Sequence, residues 1–345
     1  MTRKRVLIVE DSAVVREHLR RIIAADPRLE VAGAVASAEE AIEALDLLAP
    51  DVISMDVRLP GMQGLEATRE IMARRPTPIV VVSGIEAAEL SLTMEALRAG
   101  ALSVIEKPPA LTHAGYEALA ARLCTRLAIM SEVVVIRQQP SAPRRAGFPA
   151  GECAAAGRFR VLGMAASTGG PNALMRVLSG LGPGFPLPIL VVQHMEPGFV
   201  PGFGSWLAGV TGLRLELVTE RRALSPGGVF LAAPDRHLLL EGNHACPGDG
   251  GRVANQRPSA SVLFSSLARH AGAAGIGVVL TGMGDDGAKG LRELREAGGY
   301  TLAEHESTAV VYGMPAAAVG AGAVCESVPL PEVAPRLAAL AGRGT

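Results

Sequence analysis

The chain has 345 residues, of which 49% are hydrophobic and 19% are charged, and its formal net charge is −1. At about 150 residues per domain, this length predicts two domains, and so apolar a composition excludes a wholly disordered chain. Because the positive and negative charges balance, there is no bulk attraction to nucleic acid or anionic lipid, and we expect no nucleic-acid partner.

The spacing of the cysteines and the hydropathy of the chain indicate the cellular compartment in which the protein works. The 4 cysteines lie far apart and form no CxxC pair, which disfavours a disulfide scaffold or a zinc site. The apolar run Val6–Val9 is too short for the core of a signal peptide. No stretch approaches the roughly 18 apolar residues of a membrane span. We therefore expect a cytoplasmic protein without direct membrane insertion.

Short β-branched runs alternate with amphipathic stretches through the first third of the chain. The predicted strands are Val6–Val9, Val31–Val35, Val52–Met55, Ile79–Val82 and Val104–Ile105. The predicted helices are Val14–Ala25, Glu39–Leu48, Leu65–Arg74, Leu90–Ala99 and Tyr116–Val134. Ser37 and Glu40 form an S-x-x-E capping box at the second helix. This alternation predicts a parallel sheet with helices on both faces, in the flavodoxin-like, doubly wound architecture.

Polar side chains follow several of these strands at the edge where a parallel sheet binds ligands. They are Glu10 and Asp11 after the first strand, Asp56 after the third, Ser83 after the fourth and Lys107 after the fifth. Clustered carboxylates repel one another unless a cation joins them, and an all-oxygen ligand set suits Mg²⁺. A lysine and a hydroxyl opposite them suit a phosphoryl group, which indicates aspartyl-phosphate chemistry. Any one of these residues alone also fits an ordinary exposed strand end.

Taken together with the loop Asp56–Gly64, this set resembles the receiver domain of two-component response regulators over residues 3–130. The resemblance implies that Asp56 accepts a phosphoryl group from a histidine kinase. It also implies roles for the rest of the set: Mg²⁺ ligands Glu10, Asp11 and Asp56, and phosphoryl-sensing residues Ser83 and Lys107. Val104 stands where the family usually has an aromatic switch residue.

The composition changes after the last helix of this region. Segment Gln138–Pro149 has no hydrophobic period and contains several prolines, so we predict a linker over 133–158 between domains 1–132 and 159–345. The second domain is again α/β, and residues 219–258 read as hairpins and loops. Its predicted strands are Phe159–Met164, Ile189–Gln193, Leu213–Val218, Val229–Ala232, Ile276–Thr281 and Tyr300–Ala303. Its predicted helices are Ala173–Leu181, Ala260–Arg269, Ala288–Ala297 and Val333–Ala341.

A serine, a histidine and an acidic loop follow three of these strands. Ser167 lies between a strand and a helix, where a tight turn presents its hydroxyl at the sheet edge. His194 ends the next strand, where it is placed to act as a general base. Asp285 or Asp286 would orient that histidine. Taken singly, the serine also fits a helix N-cap and the histidine a packing role.

The same acidic loop contains a dinucleotide-binding pattern. Gly282, Gly284 and Gly287 give G-x-G-x-x-G after a strand and before a helix, and Glu304 and Glu306 follow about 20 residues later. Asp285 and Asp286 would repel a pyrophosphate there. A dinucleotide enzyme is therefore the weaker alternative.

From about Arg160 to about Pro329 the chain resembles the catalytic domain of the chemotaxis protein-glutamate methylesterases, the CheB family. The motifs that carry this resemblance are Ser167–Gly170, Gln193–Met195, Pro226–Gly228, Arg257–Ser259, Thr281–Gly287 and Tyr312–Pro315. A receiver domain followed by this doubly wound parallel esterase domain is the order found in that family.

The resemblance implies a phosphorylation-activated serine esterase that needs no cofactor for its own reaction. The implied residues are the nucleophile Ser167, the base His194, the orienting acid Asp286, the oxyanion donor Met283 through its N–H, and the adjoining Thr168. The substrates would be glutamate methyl esters, and glutamines, of chemoreceptors. The unphosphorylated receiver domain would cover the active site until Asp56 is phosphorylated. The alternative is a response regulator that only docks on receptors.

Overall fold

The computed structural model describes residues 2–84, 87–107, 116–133, 135 and 159–342. The chain divides into two compact units, residues 1–139 and 140–345. Except for residues 133 and 135, the predicted linker lies outside the described residues. No described helix combines the length and the apolarity that crossing a membrane requires.

The first unit is a five-stranded sheet with strand order β2-β1-β3-β4-β5, and all four strand pairs are parallel. Its strands are β1 (Lys4–Val9), β2 (Leu29–Val35), β3 (Val52–Met55), β4 (Ile79–Ser83) and β5 (Ser103–Glu106). Its helices are α1 (Ala13–Ala25), α2 (Ala38–Leu48), α3 (Gly64–Arg74), α4 (Ala87–Ala99) and α5 (Tyr116–Met130). The sheet is covered on both faces, which is why the strands read as continuous β-branched runs. The predicted flavodoxin-like fold is confirmed.

Local sequence signals set the ends of these helices. At α2 the Ser37 hydroxyl accepts the N–H of Glu40, as the capping box predicts, while the Glu40 carboxylate accepts the N–H of Ala36 rather than that of Ser37. Helix α4 begins three residues before the predicted Leu90. This extension brings Glu89 into the first turn of α4, next to the end of β4.

The second unit contains a seven-stranded parallel sheet of order β15-β14-β13-β6-β7-β10-β8 and a three-stranded antiparallel sheet of order β11-β12-β9. Its strands are β6 (Val161–Ala166), β7 (Ile189–Gln193), β8 (Leu215–Val218), β9 (Arg222–Ala223), β10 (Val229–Ala232), β11 (His237–Glu241), β12 (His244–Gly248), β13 (Gly275–Val279), β14 (Tyr300–Glu304) and β15 (Glu326–Val328). Its helices are α6 (Gly170–Leu181), α7 (Val200–Thr211), α8 (Ala260–His270), α9 (Ala288–Glu296), α10 (Met314–Gly320) and α11 (Leu330–Leu340). The predicted doubly wound sheet and the hairpin region are confirmed.

Two helices and one strand of this unit escaped the sequence prediction. Helix α7 contains Pro201 and several glycines, which read as helix breakers, although proline is tolerated in a first turn. Helix α10 begins Met314–Pro315 and is only 7 residues long. Strand β15 has 3 residues, too few to show a period. The two helices are held by contacts with strands of the sheet and β15 by pairing with β14, rather than by local preference.

The strand order fixes where a site can form in the second unit. Strand β6 lies between β7 and β13, so the chain winds outward from it in both directions. The loops that follow these three strands therefore meet at the topological switch point, where open parallel sheets bind their ligands. Ser167, His194 and Asp286 lie in these loops.

Candidate active site and phosphoacceptor site

The Asp286 carboxylate lies at the N-terminus of helix α8. It accepts hydrogen bonds from the backbone N–H groups of Ala260 (2.7 Å) and Ser261 (3.0 Å) and from the hydroxyl of Ser259 (2.7 Å). Burial opposes its charged form, but the hydrogen bonds from His194, Ser259 and the helix N-terminus outweigh burial and lower the pKa of Asp286 to about 2. Asp286 is therefore an ionised acceptor throughout the neutral range.

The imidazole of His194 faces this carboxylate. Its Nε2 lies 3.0 Å from Asp286 Oδ2, and both side chains are buried. Since the carboxylate is ionised, Nε2 carries the proton and Nδ1 is left as the acceptor in the neutral ring. Nδ1 is buried and has no hydrogen-bond partner among the described residues. The ring is therefore held in the tautomer that can receive a proton at Nδ1.

Ser167 and His194 follow neighbouring parallel strands. Ala166 pairs with Gln193 at the ends of β6 and β7, and the N–H of His194 donates to Ala166 O at 2.9 Å. Ser167 and His194 are thus next to each other at the sheet edge. Within the described chain, no hydrogen bond joins the Ser167 hydroxyl to the ring, as is common in substrate-free sites.

The loop after β13 packs directly against Ser167. A Cβ placed on Gly282 would come within 2.7 Å of the Ser167 Cβ, so only glycine allows this approach. The next residue, Met283, donates no hydrogen bond from its N–H to any described residue. The Thr168 hydroxyl is also buried without a partner in the described part of the chain. Two donors therefore remain unpaired beside the serine.

The structure contradicts two alternative interpretations of the sequence, one for Ser167 and one for Glu304. Ser167 is not the N-cap of α6, because the capping residue is Gly169 in the left-handed region (φ 76°), which places the serine outside the helix. Glu304 cannot serve a dinucleotide ribose, because its side chain is fully buried and its Oε2 accepts the N–H of Thr281 at 2.8 Å. The structure thus removes one of the two acidic residues, Glu304 and Glu306, on which the dinucleotide-enzyme alternative rests.

Sequence reasoning missed Ser259. It belongs to the Arg257–Ser259 motif, and its hydroxyl donates to Asp286 while accepting the N–H of Val262 as the N-cap of α8. A serine before an amphipathic run indicates the cap. The partnership with Asp286, 27 residues away, exists only in the folded chain.

Glu304 leads to a prediction about stability. Burial raises the pKa of Glu304 to about 7 from its usual 4.5. A raised pKa adds stability below pH 4.5, and this contribution is lost as the pH rises through about 7. At about 1.4 kcal/mol per unit, the loss is about 3 kcal/mol. We therefore expect Glu304→Gln to gain about 3 kcal/mol in unfolding free energy relative to wild type between pH 5 and pH 8.

Urea unfolding followed by tryptophan fluorescence measures this difference, since the single tryptophan, Trp206, lies in the second unit. Comparing the variant with wild type at each pH cancels the titration of all other groups. An equal stability difference at the two pH values would contradict the prediction.

The receiver-like unit gathers its acidic residues at the ends of β1 and β3. Glu10, Asp11 and Asp56 each offer a carboxylate oxygen, and these oxygens lie within 4.8 Å of one another. The ammonium group of Lys107 lies 2.7 Å from Asp56 Oδ2 and 3.0 Å from Glu10 Oε2. Burial raises the pKa of both Glu10 and Asp56. The four predicted residues form one cluster.

Ser83 ends β4, but its hydroxyl is engaged elsewhere. It lies 3.0 Å from Oε2 of Glu89, whose other oxygen lies 3.3 Å from Nε of Arg58. The Thr93 hydroxyl donates to Ser83 at 3.1 Å. Ser83 is therefore hydrogen-bonded to α4 and not to Asp56 in this structure. The sequence analysis did not identify Glu89 as a partner of Ser83, because the predicted helix began one residue later, at Leu90.

Both units of the chain match families of known proteins. The family model of the response regulator receiver domain matches residues 6–114, and that of CheB methylesterase matches residues 162–337. A protein-glutamate methylesterase/protein-glutamine glutaminase from Paramagnetospirillum magneticum is 51% identical over 98% of this chain and 97% of its own length. One from Myxococcus xanthus is 44% identical over 96% of each.

A solved structure matches the second unit. The crystal structure of the CheB methylesterase catalytic domain from Thermotoga maritima is 31% identical and has a TM-score of 0.51, covering 53% of this chain and 98% of that one. Together with nearly full-length relatives above 40% identity, this match shows that the chain belongs to the CheB methylesterase family, with a receiver domain preceding the methylesterase domain.

Proposed function

We propose that this protein is a phosphorylation-activated serine esterase that removes methyl groups from glutamate methyl esters of chemoreceptors and deamidates receptor glutamines. The observation that carries the proposal is the His194 ring, whose Nε2 is hydrogen-bonded to Asp286, whose buried Nδ1 has no partner among the described residues, and whose strand is the neighbour of the one that precedes Ser167. This arrangement supports acyl transfer through a serine nucleophile.

In the proposed reaction the Ser167 oxygen attacks the ester carbonyl carbon while its proton passes to Nδ1 of His194. The negative charge that forms on the carbonyl oxygen is stabilised by the N–H of Met283. The imidazolium then protonates the methoxide, methanol leaves, and a glutamyl ester of Ser167 remains. Water attacks that ester and gives a proton to His194, which passes it to the Ser167 oxygen as the glutamate leaves, so the serine hydroxyl and the neutral ring are restored. With glutamine as substrate, ammonia leaves instead of methanol.

The receiver unit supplies the regulation. We propose that Asp56 accepts a phosphoryl group from a histidine kinase and that Lys107 contacts the phosphoryl oxygens. The clustered oxygens of Glu10, Asp11 and Asp56 fit Mg²⁺, which would neutralise charge around the acceptor. Phosphorylation would shift the population of the protein toward its active state.

We also propose a cytoplasmic location. The cysteines Cys124, Cys246 and Cys325 are free thiols, as is usual in a reducing compartment.

We expect a small-molecule phosphoryl donor to raise the rate of methanol release by wild type about 5- to 150-fold. This is the fold-change that corresponds to a typical coupling free energy between two sites. Asp56→Asn should retain the basal rate and lose the response, because an amide cannot form the acyl phosphate. Release from methylated receptors, with and without the donor and Mg²⁺, measures this. Asp46→Asn, an exposed aspartate on α2, is the matched control and should respond normally. Equal activation of Asp56→Asn and wild type would refute the regulatory role.

A further inference from the structure

We propose that Gln193 is a positioning residue that fixes the spacing between Ser167 and His194, an inference that rests on the proposed esterase function. Gln193 is the last residue of β7 and is almost fully buried. Its side-chain amide contacts the main chain of the serine and the histidine, and makes no hydrogen bond to their side chains among the described residues.

One amide nitrogen holds the main chain of both residues. Nε2 of Gln193 donates to the carbonyl oxygen of Ser167 at 2.8 Å and to that of His194 at 2.9 Å. A primary amide has two N–H protons, so both are used. The turn that carries the serine and the loop that carries the histidine are thereby joined by a group with no other donor.

The orientation of this amide is set by its surroundings. Turning it over would place Oε1 against two carbonyl oxygens at less than 3 Å, where oxygens repel. Ser167 O also accepts the N–H of Gly170 at 2.9 Å, and Ser167 N–H donates to Thr281 O at 3.0 Å. The main chain of Ser167 is therefore hydrogen-bonded to the loop after β13 on one side and to the last residue of β7 on the other.

Gly170 makes room for the amide. A Cβ on Gly170 would lie 2.1 Å from Oε1 of Gln193 and 2.8 Å from the Cβ of Ala166. Gly170 does not have a positive φ, so the backbone conformation itself would accept alanine. We infer that glycine is needed here because of both Gln193 and Ala166, with the Gln193 amide the closer of the two. A methyl group at this site would push the amide off the two carbonyl groups.

The chemistry is sensitive to this spacing. Proton transfer from Ser167 to Nδ1 of His194 requires a hydrogen-bond distance, and a shift of 1 Å in a reacting group costs about 100-fold in rate. Losing the amide donors also leaves the carbonyl oxygen of His194 without a partner among the described residues and that of Ser167 with only the N–H of Gly170, which favours movement of both loops. The loop of Met283, the proposed oxyanion donor, receives no hydrogen bond from the Gln193 side chain in the described part of the chain, so we expect substrate binding to change little.

The test compares Gln193→Met and Gly170→Ala with wild type in the full-length protein activated by a phosphoryl donor. Methionine keeps the volume and removes both donors, whereas Gly170→Ala keeps the donors and displaces them. We expect each variant to lose about 10- to 100-fold in kcat for methanol release with KM within about twofold. Trp206 fluorescence reports whether each variant is folded. If Gln193→Met does not fold, Gly170→Ala decides the question.

Thr301→Val is the matched control for lost buried hydrogen bonds. Thr301 is buried in β14, and its hydroxyl accepts the N–H of Cys325 and donates to its sulfur. This control should lower Tm while leaving kcat unchanged. A folded Gln193→Met or Gly170→Ala with wild-type kcat would overturn the positioning role, and so would a loss confined to KM. Ser167→Ala tests the proposed esterase function separately, because it removes activity whatever the role of Gln193.

Discussion

Ser167→Ala is expected to lower kcat for methanol release by about 10⁴-fold or more, the loss that follows removal of a serine nucleophile from a triad. Alanine removes the attacking oxygen and leaves the main-chain hydrogen bonds of residue 167 intact. Receptor binding should therefore survive. Gas-phase or enzymatic detection of methanol from methylated receptor membranes, combined with a sedimentation assay of receptor binding, measures both properties.

The matched control is Ser327→Ala, a serine on β15 whose buried hydroxyl has no hydrogen-bond partner among the described residues. It should keep wild-type activity. If Ser167→Ala released methanol at the wild-type rate, the serine mechanism would be wrong. If wild type bound receptors but released none, the protein would be a docking module.

Asp286→Asn is expected to lower kcat by about 10⁴-fold. Four donors converge on the carboxylate, two on each oxygen: His194 Nε2 and the Ala260 N–H on Oδ2, and the Ser259 hydroxyl and the Ser261 N–H on Oδ1. An asparagine has one acceptor atom, so in either orientation its NH₂ group meets two donors. With the NH₂ group toward His194, the ring loses the acceptor that keeps its proton on Nε2; in the other orientation the ring loses the negative charge opposite it.

Stability should fall with activity in this variant. A carboxylate whose pKa is lowered from 3.8 to about 2 stabilises the fold above pH 3.8, and that contribution is lost as the pH falls toward 2. The contribution is about 2 kcal/mol at neutral pH. Asp285→Asn is the matched control, because Asp285 is the exposed neighbour. If Asp285→Asn lost activity and Asp286→Asn retained it, Asp285 and not Asp286 would be the acid that orients His194.

The sequence predicted the parts of the fold that local chemistry specifies. Apolar runs such as Val229–Ala232 match their strands residue for residue, because parallel strands covered on both faces read as near-continuous apolar runs. Parallel strands then place their carboxyl ends at one edge, so Ser167 and His194 were predicted as neighbours from strand ends alone.

The supporting residues lay beyond such reasoning. Ser259, Gln193 and Glu304 form hydrogen bonds with partners 23 to 27 residues away. These contacts depend on the strand order β14-β13-β6-β7 and, for Ser259, on the position of helix α8. No local pattern marks a buried glutamine or glutamate as a hydrogen-bonding support. The sequence pattern suggests Glu304 as an acid that binds a dinucleotide ribose, because its distance along the chain from the glycine-rich loop does not show that its side chain is buried.

The proposed proton path from Ser167 to His194 is tested most directly by ¹⁵N NMR of the histidine side chains in the full-length protein. The structure predicts that the neutral His194 ring carries its proton on Nε2, hydrogen-bonded to Asp286, with Nδ1 unprotonated. This preference should disappear in Asp286→Ala. A wild-type ring protonated on Nδ1, or one unaffected by Asp286→Ala, would contradict the proposed catalytic site.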